Sequence, residues 1–87
     1  VYRTALTCVL NEDLKQEWTE YLEETLHHQK VITAACRALG LDPDEESPGR
    51  RVVRHHGESL VKAMQLAKAD APPAAAELVA CECVVLA

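Results

Sequence analysis

Residues 11–40, NEDLKQEWTEYLEETLHHQKVITAACRALG, decide the fold class. Leu14, Trp18, Tyr21, Thr25, His28, Ile32 and Leu39 recur at helical steps, so they share one face of an α-helix. Asn11 offers a side-chain acceptor to the first turn, and Glu12 and Asp13 put negative charge at the positive end of the helix dipole. Gly40 suits the left-handed position that closes a helix. The pattern predicts one long helix from about Asp13 to Leu39.

Working outward, Val1 to Leu10 reads as the last turns of an earlier helix, with Tyr2, Leu6 and Val9/Leu10 on one side. Downstream, residues 41–49 (LDPDEESPG) hold two prolines and four acids and read as a loop. A third helix is expected from about Arg50 to Lys68, with Val53, His56, Leu60, Met64 and Ala67 as its stripe. Ala71-Pro72-Pro73 marks the next start, with Asp70 as its expected cap. The last helix is expected to turn Ala74, Leu78, Cys81/Glu82 and Val85 to one side. No segment alternates with period two and none repeats. The expectation is an all-α fold in a single domain, residues 1–87.

Composition narrows the function classes. A chain of 87 residues and 9.6 kDa hides only about 60% of its unfolded surface, so a solitary fold is marginal. The apolar fraction is 48%, but much of it is alanine, with one Trp, two Tyr and no Phe. Thin side chains favour close helix contacts, and the expected state is a homodimer or higher homo-oligomer. A net charge of −5 with both signs mixed excludes a disordered acidic tail and argues against a nucleic-acid partner. No apolar run approaches the ~20 residues of a membrane span, and no signal peptide is recognisable, so no membrane partner is expected. Cys8, Cys36, Cys81 and Cys83 are irregularly spaced, three of them within helical pattern, which fits free thiols in a reducing cytoplasm. The chain starts at Val1 without a methionine and ends at Val84-Val85-Leu86-Ala87 inside an apolar pattern. Both ends read as cut from a longer domain.

Several polar side chains fall on apolar stripes. With about 100° per residue, His28 lies near the centre of the long helix's stripe, His27 on the far side and Glu24 at the edge. His56 lies on the stripe of the third helix, and Glu82 lies close to Leu78 on the last. A charged group on a dry face costs several kcal/mol unless it is paired, protonated or metal-bound. His56 reads as a satisfied core histidine, and Glu82 as a group that meets an arginine or a wet subunit seam. Glu24 with His28, one turn apart, can grip one ion, and Glu24 with His27 forms the alternative Glu-x-x-His pair. Cys81 and Cys83 lie about 200° apart on a helix and cannot share an ion. Arg50, Arg51 and Arg54 form a basic patch of the kind that usually faces water. No Gly-rich phosphate loop, Ser/His/Asp set or nucleophilic Cys/His motif is present.

The segment Tyr21-Leu22-Glu23-Glu24-Thr25-Leu26-His27-His28 resembles the second-helix signature of ferritin-like four-helix bundles. It carries Glu-Glu-x-x-His ending at His27, as in ferritins and rubrerythrins. It also carries Glu-Thr-x-x-His ending at His28, as in bacterial ferritin-like domains of the YciF type. Tyr2-Arg3-Thr4-Ala5-Leu6 resembles the latter half of a first helix, Ala38-Leu39-Gly40-Leu41 a helix end, and residues 77–82 a bundle helix with an inward Glu. The resemblance implies a ferritin-like bundle fragment: a helix stub, two long helices and a C-terminal helix, completed by oligomerisation. It also implies a carboxylate-bridged dimetal site of iron or manganese. Glu24 with His27 or His28 would be one pair of metal ligands, and Glu82 a single carboxylate. The remaining ligands have no counterpart in the sequence, so a complete centre is not expected within one chain. The alternative function is a non-catalytic helical dimerisation module without metal.

Overall fold

A computed structural model describes all 87 residues. Four helices and no strand follow in order: α1 Tyr2–Cys8, α2 Glu12–Ala38, α3 Pro48–Asp70 and α4 Pro73–Leu86. The all-α expectation holds, with boundaries within about two residues.

The helix ends form for the reasons the sequence suggested. The Asn11 side chain accepts from the backbone N–H groups of Asp13 and Leu14 and opens α2. At its other end Gly40 has φ +73°, its N–H donates to Arg37 and that of Leu41 donates to Cys36. This is a complete Schellman closure, and the positive φ is what requires glycine there. Helix α3 begins earlier than expected. Ser47 accepts from Arg50 N–H and Pro48 occupies the first turn, so Pro48 and Gly49 belong to the helix and not to the loop. Pro72, without a side-chain bond, takes the cap position of α4, and Asp70 instead ends α3.

The core is small. Ala5, Cys8, Trp18, Leu60, Met64, Ala80 and Cys83 form one buried cluster contributed by all four helices. Helix α1 sits at the centre of this arrangement, packed against α2, α3 and α4, while the backbone of α2 packs only against α1. From a rise of ~1.5 Å per residue, α1 is ~10 Å long and α4 ~21 Å, against ~40 Å for α2 and ~34 Å for α3. The short helices cannot cover the long ones.

The consequences are measurable in the shape. The radius of gyration is 15.1 Å and the extents are 48 × 27 × 16 Å, whereas a compact chain of this length has a radius near 12 Å. Accessible area is 6364 Å², about 1,300 Å² more than the ~5,100 Å² of a compact 9.6 kDa protein.

The inner faces of two helices differ from expectation. In α4 the buried residues are Ala76, Ala80 and Cys83, while Leu78 is 67% and Val85 80% exposed. Helix α4 packs against both α1 and α3, and only its small side chains allow that approach. Because α4 is apolar all round, its periodicity could not choose between faces. In α1 the buried pair is Ala5 and Cys8, with Tyr2, Leu6 and Val9 half-buried around them.

Helix α4 also clamps the α1–α2 junction. The Glu77 carboxylate accepts the N–H of Asn11 at 2.8 Å and that of Leu10. Hydrogen bonds to a charged group contribute about 1.5–3 kcal/mol when sheltered. The half-buried position of Glu77 puts this pair toward the lower end.

Met64 is fully buried, so Met64→Ala should cost about 2–5 kcal/mol in urea unfolding at fixed protein concentration. Exposed Gln65→Ala on the same helix should stay within about 0.5 kcal/mol. Equal effects would mean that the Trp18–Met64 cluster is not the core.

Candidate functional site

The residues expected to hold a metal are not gathered by the fold. Glu24, His27 and His28 on α2 and Glu82 on α4 are all exposed. Helices α2 and α4 do not pack together. The rings of His27 and His28 lie 6.3 Å apart and are tilted by 51°. No group of three or more His, Cys, Asp or Glu side chains is close enough to hold an ion. The donors present therefore do not fit a dimetal centre within one chain. Glu24, His28 and Glu82 were expected to point inward; they face water because the stripe of α2 is uncovered beyond α1 and α4 turns its other face inward.

Of the other polar groups in the sequence reading, His56, Arg50 and Arg54 have local partners. His56 is exposed, not a core histidine, and its Nε2 lies 3.0 Å from the Leu86 carbonyl, where a ring N–H caps the end of α4. Glu82 meets no arginine. Arg50 and Arg54 are held by the preceding loop: Arg54 pairs with Glu46, and Arg50 lies 3.8 Å from Asp44 and from Glu46 and donates to the Pro43 carbonyl. The basic patch is thus largely consumed in fixing the α2–α3 loop. The Arg54 guanidinium holds the Glu46 carboxyl below its ordinary value, and Glu46 in turn raises Arg54.

The four thiols are free. Cys8 Sγ and Cys83 Sγ donate to the carbonyls of Met64 and Leu60, at 3.9 and 3.7 Å, on successive turns of α3. Burial raises the Cys83 thiol, with smaller contributions from Cys8 and Glu82. Both groups are packing residues. Cys36 and Cys81 are half-buried.

What the fold does assemble is an uncovered cleft. On α2 the stripe that meets α1 through Leu14, Trp18, Leu22 and Thr25 runs on through Gln29, Ile32, Cys36 and Leu39. There no helix covers it, and Ile32 is 62% and Leu39 75% exposed. On α3 the stripe of Leu60 and Met64 runs back to Val53, which is 71% exposed. A cavity of about 440 Å³ separates the two helices, lined by Gln29, Ile32, Thr33, Cys36 and Arg37 of α2, Pro43 and Asp44 of the loop, and Arg50 of α3. Comparison with known proteins returns no match among family models, curated proteins or solved structures.

The cleft could have been read from element lengths, since a seven-residue stub cannot shield helices of ~34–40 Å. The residues Ile32 and Leu39 were recognised as stripe members. That they lack a cover was not.

Two predictions follow the side-chain environments. A maleimide at neutral pH should modify Cys81 before Cys8 and Cys83, read by mass spectrometry of digests; early loss of the Cys83 thiol would contradict its burial. Glu46 should titrate below its ordinary value of 4.5. Its contribution is present above that value and is lost as the pH falls through the folded-state midpoint. Carboxyl-detected NMR reads this directly, and Arg54→Ala should raise the midpoint by removing the largest cause of the shift.

Proposed function

We propose that this chain is a non-catalytic helical association module whose fold is completed by a second copy of itself. The observation that carries the reading is the uncovered continuation of the α2 and α3 stripes at Ile32, Leu39 and Val53. The excess area supports it. About 1,300 Å² beyond a compact 9.6 kDa protein exceeds the ~800 Å² that each partner contributes to a standard stable interface.

Exposed apolar residues line this end of the molecule. Val31, Ile32, Leu39, Leu41, Val52 and Val53 lie on the distal half of α2, the loop and the start of α3. Of these, Ile32 and Leu39 share one face of α2, and exposed apolar side chains gathered on a face are the usual mark of an interaction site. No helix is long and apolar enough to cross a membrane, and the net charge of −5 disfavours nucleic acid.

Iron or manganese chemistry, implied by the ferritin-like resemblance, is not the reading favoured by exposed Glu24, His27, His28 and Glu82. An association module needs no metal, and a chelator separates the two readings.

Sedimentation velocity should show a dimer at micromolar concentration, unchanged by EDTA. A folded monomer throughout that range would overturn the proposal. Dissociation by EDTA would instead favour a metal shared between chains.

A further inference from the structure

We infer that residues 27–55 open as one local unit while the core stays folded, and that a second copy is held by ordering this unit. The inference rests on the self-association reading and adds how that association is controlled. Three observations delimit the unit.

The first is burial. Every buried residue lies at or before Trp18, or at or after Leu60. Between His27 and His55 only Thr33, Cys36, Pro43 and Arg50 reach half-burial. Local opening needs little free energy where few apolar contacts are given up.

The second is connection. Helices α2 and α3 do not pack against each other. Arg50 and Arg54 hold Pro43, Asp44 and Glu46, and Ser47 caps α3, so residues 43–47 are bound to α3. Gly40 and Leu41 are bound back to α2 through the Arg37 and Cys36 carbonyls. Asp42 accepts only from Asp44 and Glu45, and no hydrogen bond spans the Leu41–Asp42 junction. The unit ends where ties to the core begin. On α2, half-buried Thr25 and Leu26 line a small hollow with Val1 and Tyr2 at the end of α1. On α3, His56 bonds the Leu86 carbonyl of α4.

The third is helix length. Past Leu26, α2 runs on for 12 residues, and before His56 α3 has eight. Helical segments shorter than ~12–15 residues are marginal in water without packing. His27, His28, Val31, Ile32 and Thr33 in the first, and Gly49, Val52 and Val53 in the second, are weak helix formers. The exposed Val31, Ile32, Leu39, Leu41, Val52 and Val53 all belong to this unit. Covering them supplies the burial the unit lacks, so a second copy stabilises the closed form over the open one.

Amide hydrogen exchange of the native chain, read by mass spectrometry of peptides, tests this below and above the dimer midpoint found by sedimentation. In the monomer, amides of residues 30–38 and 50–54 should exchange on the order of a hundredfold faster than those of residues 60–66. In the dimer the same amides should slow by about tenfold or more. Cys83→Ala trims the core, with folding checked by circular dichroism. It should speed exchange at residues 60–66 severalfold and leave residues 30–38 unchanged, because the locally open state keeps the core intact. A single all-or-none opening would speed both segments alike and overturn the inference. So would a dimer whose residues 30–38 exchange as fast as in the monomer. A chain that stays a folded monomer overturns self-association, and the ordering with it.

Discussion

The length of α1 governs the rest of the structure. Seven residues of helix occupy the position between α2, α3 and α4, and all three pack against them. Where α1 is present, the stripes of the long helices meet and Trp18, Leu60 and Met64 are buried. Where it ends, the same stripes run into water within two turns. Burial here is decided by the reach of one short spacer and not by the hydrophobicity of the residues themselves. Ile32 and Trp18 belong to one helical face, yet one is 62% exposed and the other 4%.

Small side chains make the covered end possible. Ala5, Cys8, Ala76, Ala80 and Cys83 let α1 and α4 approach α3 closely. The thiols add weak donors to carbonyls already engaged in the α3 helix. A core of this composition gains little area per residue, since alanine and cysteine bury much less apolar surface than leucine or phenylalanine. Met64 and Trp18 supply most of the bulk. The α2 end near Asn11, the Glu77 clamp and this cluster thus form a self-sufficient half, and the loop end forms the other.

Local signals were legible in the sequence, and tertiary ones were not. The Asn11 cap, the Gly40 closure and Pro73 in the first turn of α4 each rest on a single residue's chemistry within one turn of chain, and each stands where expected. The α3 start was misjudged because Pro-Gly reads as a loop until Ser47 is seen accepting from Arg50. The inner face of α4 was misjudged for a different reason. Leu78 and Val85 are the larger side chains, and hydrophobicity alone turns them inward. A helix wedged between two others selects by size, and that requires knowing its neighbours.

The same distinction explains why the metal argument lost its footing. It assumed that a stripe is dry, so that Glu24, His28 and Glu82 would need compensation for lost hydration. On α2 the stripe is wet beyond α1, and an exposed carboxylate or imidazole there costs nothing. Wetness in the isolated chain is also what leaves that face available to a partner. When a second copy covers that face, the burden of desolvation falls on Ile32, Cys36 and Leu39, while Glu24 and His28 stay at its edge in contact with water. An association surface of this design keeps its charges at the rim, where they orient the partner, and its apolar groups at the centre, where they hold it.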